Sequence, residues 1–166
     1  MNFGLDFDGV VTEDSNLFAN FVNVARGAGH KVYIVTMRYP SECIHDKLMW
    51  RWVYGVDGII PTSRDAKKKV CDLLGIKIDV WIDDNPNAVH NSAKQIWGES
   101  SSEGNVVIEQ HARGGKRIER LPTTFPEDCL EILNHFSNKM ILLPHAKETN
   151  DLYMQTLGYN GKVVKD

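Results

Sequence analysis

Apolar positions along the chain alternate between two periods. Short runs of mostly consecutive apolar and β-branched residues occur at 1–7, 31–36, 58–60 and 78–82, and runs of this length bounded by turn formers predict strands buried on both faces. The stretches between them repeat at helical spacing instead. Leu17, Phe18, Phe21, Val22, Val24 and Ala25 predict an amphipathic helix that opens near Ser15, a good N-cap, and stops at the glycine-containing stretch 27–29. Ile44, Leu48, Met49, Trp52 and Val53 predict a second helix between Pro40-Ser41 and Gly55, and Ala66, Val70, Leu73 and Leu74 a third, ended by Gly75. Ala88, Val89, Ala93 and Ile96 mark a fourth over residues 86–97. Strand alternating with helix in this way predicts an α/β fold with a parallel central sheet and right-handed crossovers.

The pattern changes after Trp97. Residues 98–104 are small and polar and predict a surface loop, followed by a last core strand at 105–109. The basic turn 113–117 (Arg-Gly-Gly-Lys-Arg) is best read as a solvated hairpin, although an anionic ligand would suit it. A helix is expected over 126–136 with Pro126 in its first turn, then the short apolar run 140–143, then a final helix over 148–157 ended by Gly158. This divides the chain into a core at 1–110 and an extension at 111–166 that completes the core, joins subunits of a homo-oligomer or covers a site. Truncation after Phe136 is expected to lower activity while leaving the strands folded.

Composition narrows the class. The chain has 166 residues, 42% of them hydrophobic, which suits one domain with a substantial core. No apolar run reaches the roughly 18 residues of a membrane span, and a strand opening at Asn2 leaves no room for a signal peptide. Cys43, Cys71 and Cys129 are odd in number and widely spaced, which fits a reduced, cytoplasmic setting and core packing. Trp50, Trp52, Trp81 and Trp97 read as core or rim packing. The formal charge of −3 argues against broad adhesion to nucleic acid.

Each strand delivers polar residues at its C-terminal end, where open α/β sheets hold their ligands. The first runs into Asp6-Phe7-Asp8-Gly9-Val10, the second ends at Thr36 and is followed by Arg38, the third leads to Thr62-Ser63, and the fourth to Asp83-Asp84. Alternation along a strand lets Asp6 and Asp8 project to one side. Gly9 permits a tight turn and close approach of a ligand to the main chain. Asp and Gly after a strand are also ordinary turn formers, so the first segment alone is only suggestive.

Taken in order, these residues resemble the four motifs of the haloacid dehalogenase superfamily of phosphohydrolases. Asp6-Phe7-Asp8-Gly9-Val10 stands at the first motif, Thr36 at the second, Lys67-Lys68-Lys69 at the third and Asp83-Asp84 at the fourth, over residues 1–97. The resemblance implies a Rossmann-like three-layer α/β/α sandwich with a mostly parallel central sheet. It also implies Mg²⁺-dependent phosphomonoester hydrolysis through an aspartyl-phosphate. Asp6 would be the nucleophile and Asp8 the general acid and base. Mg²⁺ would be held by Asp6, the main-chain carbonyl of Asp8 and Asp83, with Asp84 in support. Thr36 and one lysine would bind the phosphoryl oxygens. Position favours Lys67, with Lys68 as the fallback, since adjacent helical residues point about 100° apart.

Arg38 and Gly9 are candidate substrate contacts, because the planar guanidinium fork matches phosphate. Hydroxyl-x-arginine at the second motif is also seen in deoxyribonucleotidases and in the phosphatase domains of polynucleotide kinase-phosphatases. That local similarity favours a small nucleotide-like phosphate as substrate, with nucleic-acid ends or a phosphoprotein as alternatives. A catalytically idle binding module is the competing class, which the intact Asp6, Asp8, Thr36, Lys67 and Asp83 set disfavours. Neither gap between motifs is long enough for a cap domain, so an uncapped site is expected.

Overall fold

In the computed structural model, which describes residues 1–98 and 129–159, the four apolar runs form one parallel sheet. Its strands are β1 (Asn2–Leu5), β2 (Lys31–Thr36), β3 (Gly58–Pro61) and β4 (Val80–Ile82), in the order β3-β2-β1-β4. Leu5 lies beside Ile34 on one flank and Ile82 on the other, so β1 is central and its exit is flanked by both neighbours. The fold is therefore α/β with an all-parallel sheet among the described residues. The strand expected at 105–109, the turn at 113–117 and Pro126 lie outside the described residues.

Alternation along the strands divides the core in two. Leu5, Val32, Ile34 and Ile59 face one side, and Tyr33, Val35 and Ile60 face the other. The first face is covered by α1 (Ser15–Gly27), by α2 (Pro40–His45) and α3 (Lys47–Trp50), and by α7 (Leu130–Lys139) and α8 (Pro144–Thr156). The second face packs against Val70 and Cys71 of α4 (Lys67–Leu73) and against Ile141 and Leu143. Two short helices, α5 (Asn87–His90) and α6 (Ala93–Trp97), follow β4. No described helix is long and apolar enough to cross a membrane. Burial pushes the Cys43 and Cys71 thiols well above their ordinary values, as suits packing residues.

Several expected elements are shorter or broken, each for a local reason. Strand β1 ends at Leu5, and Phe7–Val11 forms a kinked turn in which Gly9 has φ 84°. The helix expected after Pro40 breaks at Asp46, which leaves the helical region and accepts the Leu48 N–H as N-cap of α3. The helix expected over 86–97 breaks at Asn91, and Ser92 caps α6 reciprocally with Gln95. Side chains of Asp, Asn and Ser compete with the helix for its own backbone groups, which the apolar spacing alone does not register. The last helix begins earlier than expected, at Pro144, in a position where the missing N–H of proline is harmless.

The run 140–143 is not a strand, but Met140 bridges Ile59 in parallel and the Ile141 N–H donates to the Ile59 carbonyl at 2.9 Å. Met154 and Leu157 share one core cluster with Leu5 and Ile34. The C-terminal segment is thus part of the core that supports β1, which argues against the expectation that truncation leaves the strands folded. Loss of each such side chain costs about 2–5 kcal/mol, and together they approach the 5–15 kcal/mol that typically holds a domain. A chain truncated after Phe136 is expected to show no cooperative thermal transition by circular dichroism; a melt within a few degrees of the intact chain would contradict this.

Candidate active site

The parallel register sets the electrostatic problem at the exit of the sheet. Because Leu5 pairs with Ile82 and the Asp6 N–H donates to the Ile82 carbonyl at 2.9 Å, Asp6 and Asp83 leave adjacent strands side by side. Two carboxylates so placed repel each other, and burial removes the water that would screen them. Lys67, the first residue of α4, supplies the counter-charge. Its Nζ donates to Asp6 Oδ1 at 2.7 Å and to Asp83 Oδ2 at 2.6 Å. The side chains are 2%, 11% and 3% exposed for Lys67, Asp6 and Asp83, so this is an almost fully desolvated triad.

The neighbouring lysines do not reach the site. Lys68 pairs with Asp72 and Lys69 with Asp65 on the exposed side of α4. Lys67 points inward because the turn before α4 is held in place from several directions. Ser63 and Arg64 have left-handed backbones, and their N–H groups donate to the carbonyls of Arg38 and Met37. The Arg64 side chain donates to the Met37 carbonyl and to Glu42. Burial raises the Glu42 pKa and the Arg64 charge opposes the rise. This Glu42–Arg64 strut, which ties α2 to the turn before α4, left no sequence signal beyond two charges of opposite sign.

Asp84 completes an acidic group. Ligand atoms of Asp6, Asp83 and Asp84 lie within 4.8 Å of one another, a set of hard oxygens that suits a small divalent cation. Asp84 lies against Gly9, where a Cβ would come 2.5 Å from Asp84 Oδ2. The glycine is required there both by its φ of 84° and by that approach. The close neighbour of Gly9 is therefore the Asp84 carboxylate. Among the described residues these three carboxylates could hold a metal ion.

Asp8 is placed apart from the triad. Its two oxygens accept from Arg38 Nε at 2.8 Å and Nη2 at 2.6 Å, and Arg38 Nη1 donates to Asp46 Oδ2 at 2.6 Å. The guanidinium carbon lies 4.9 Å from the centre of the Phe7 ring. Burial alone would lower the Arg38 pKa, but the hydrogen bonds and charge of Asp8 outweigh it and raise the pKa above its ordinary value. Arg38, expected to meet a substrate, is thus engaged by two protein carboxylates. The sequence marks Asp46 only as an acid inside an otherwise helical pattern. Asp8 is 37% exposed, and Asp84 is exposed as well, so the site opens to solvent on this side. Thr36 is buried, and its hydroxyl oxygen accepts the Arg38 N–H at 3.3 Å, which leaves its proton free to be donated.

Burial raises the Asp6 carboxyl from its ordinary 3.8 to about 7, with Lys67 opposing and the charges of Asp83 and Asp8 reinforcing the rise. A nearby cation would oppose this rise, as Lys67 does. In the metal-free protein the folded state keeps a proton that the unfolded chain releases above 3.8. Stability from this group consequently falls as pH rises from about 4 to about 7 and stays low above it. No protein-family model, no curated protein and no solved structure matches this chain.

Proposed function

We propose that this protein is a divalent-cation-dependent phosphomonoester hydrolase of the haloacid dehalogenase type, acting through an aspartyl-phosphate on Asp6. The observation that carries the reading is the buried Lys67 ammonium bridging Asp6 and Asp83 at the exits of two adjacent parallel strands, with Asp8 two residues beyond the first. A purely structural ion pair needs one carboxylate per lysine. Here one lysine faces two, and Asp84 offers a further carboxylate oxygen within 4.8 Å of those of Asp6 and Asp83, a set of hard oxygens that suits a cation.

In this reading Asp6, Asp83 and the main-chain carbonyl of Asp8 hold Mg²⁺, supported by Asp84. When bound, the cation offsets the crowded carboxylate charge and the charge of the phosphoryl group. An Asp6 oxygen attacks phosphorus, the bond to the leaving oxygen breaks, and Asp8 gives that oxygen its proton. A water then attacks phosphorus while Asp8 takes its proton, so that inorganic phosphate leaves and Asp6 is regenerated. Lys67 and the Thr36 hydroxyl donate to the phosphoryl oxygens as charge develops on them. Nucleotides head the list of substrates only by the local similarity of the Thr36-x-Arg38 pattern, since the Arg38 nitrogens themselves are taken by Asp8 and Asp46. The open side at Asp8 also admits nucleic-acid ends or a phosphoprotein.

A panel of nucleotides, sugar phosphates, phosphopeptides and end-phosphorylated oligonucleotides, assayed with Mg²⁺, tests the reading. Hydrolysis of at least one class is expected, silenced by EDTA and restored by Mg²⁺ but not by Ca²⁺, whose larger and looser coordination suits the site poorly. Full activity in excess chelator would remove the metal from the mechanism. Inactivity on the whole panel would favour an idle binding module.

A further inference from the structure

Resting on that phosphohydrolase reading, we propose that Asp46 is a positioning residue for the Asp8 carboxylate, acting through Arg38. A carboxylate that must deliver a proton to a leaving oxygen has to sit within hydrogen-bond reach of it in one orientation. Asp8 stands on the kinked turn before a left-handed glycine and is partly exposed, so its orientation is not set by packing. Among the described residues, the Arg38 fork holds it, with one nitrogen on each oxygen.

A two-point fork fixes the relative plane of the two groups but leaves the arginine free to swing about its own stem. Asp46 removes that freedom by taking the third nitrogen at 2.6 Å, while the Phe7 ring lies 4.9 Å from the guanidinium carbon. Asp46 is itself immobilised. Its Oδ1 accepts the Leu48 N–H at 2.8 Å, its N–H donates to the Cys43 carbonyl, and its carbonyl accepts from Met49. The break between α2 and α3 is what creates this N-cap, so the interruption of the helix and the orientation of Asp8 have one origin.

The two oxygens of Asp46 have separate tasks, and a conservative change separates them. In Asp46→Asn the amide oxygen can still cap α3, since asparagine is as good an N-cap as aspartate, while its NH₂ meets the Arg38 N–H donor to donor. The profile of kcat/KM against leaving-group basicity is the readout, because kcat/KM ends at departure of the leaving group and excludes the later hydrolysis. Expected losses are below about threefold for p-nitrophenyl phosphate, which departs without a proton, and above about tenfold for an alkyl phosphate, which needs one. In the metal-free protein, the Arg38 Nε–H proton resonance, assigned through Arg38→Lys, should broaden or shift in Asp46→Asn. An unchanged resonance, no loss of activity, or an equal loss across the series overturns the assignment. A wild-type protein inactive on the whole series overturns the phosphohydrolase reading and this assignment together, whereas an active wild type with a flat Asp46→Asn profile overturns the assignment alone.

Discussion

Lys67→Ala is expected to lower turnover by about 10²- to 10³-fold, the usual effect of removing one preorganised donor from a transition state. It should also destabilise the metal-free protein by about 3–5 kcal/mol at pH 8, because removing one partner of a buried pair strands the other charge. Here two carboxylates are stranded, on Asp6 and Asp83, and both are almost wholly shielded from water. The damage should shrink at pH 5.5, where Asp6 can take up a proton, and Mg²⁺ should recover part of it by supplying positive charge to the same oxygens. Lys68→Ala, which breaks only an exposed pair with Asp72, serves as the control and should change stability by less than about 1 kcal/mol. Thermal melts at the two pH values, with and without Mg²⁺, and a phosphatase assay check this. Equal and small effects from the two alanine variants would place the counter-charge elsewhere.

Asp6→Asn is expected to change activity and stability in opposite directions. An amide cannot form the acyl phosphate, so turnover should fall below about one part in a thousand. The same change removes a buried charge whose neighbours Asp83 and Asp8 both disfavour it. Asparagine keeps an oxygen that can accept from Lys67, and Lys67 keeps Asp83 as its ionic partner. The metal-free variant should therefore melt higher than the wild type at pH 8 and no higher at pH 5. Its melting temperature should also lose the part of the pH dependence that Asp6 contributes between about 4 and 7. Residual turnover above the stated level would remove Asp6 as nucleophile, and a lower melting temperature at pH 8 would mean that Lys67 more than compensates the burial of Asp6.

Together the two variants separate the roles of charge at this site. If the triad exists only to hold β1, β4 and α4 together, neutralising Asp6 should weaken it. If it is built to receive a cation, the metal-free protein is over-supplied with negative charge, and neutralising Asp6 relieves it. Natural sites that keep such stress do so where function needs it.

Much of the site could be read from local pattern. The polar residues that follow each apolar run place Asp6, Asp8, Thr36 and Asp83 at the C-terminal edge of the sheet. Alternation does not carry Asp8 to the side of Asp6, because β1 ends at Leu5 and the kinked turn over 7–11 sends Asp8 to Arg38 instead. Position along the chain favours Lys67 over Lys68, but both stand at the start of one helix and spacing alone does not fix which one faces inward. The answer came from the left-handed turn at Ser63 and Arg64, whose hydrogen bonds to Met37 and Arg38 set the entry angle of α4. Positive φ at two non-glycine residues leaves no compositional mark. Helix breaks at Asp46 and Asn91 were missed for a related reason, since apolar spacing continued through both.

By itself, then, the sequence determined the class of fold, the order of its parallel units and the chemical types available at the sheet exit, all of which follow from periodicities of a few residues. The tertiary structure alone decided which charges meet. The β1–β4 register made Asp6 and Asp83 neighbours, α4 brought Lys67 between them, and α3 carried Asp46 to Arg38 and so to Asp8. Each of these contacts joins residues that local pattern does not link. Their energies depend on burial and on distances of a few ångströms, which no spacing along the chain encodes.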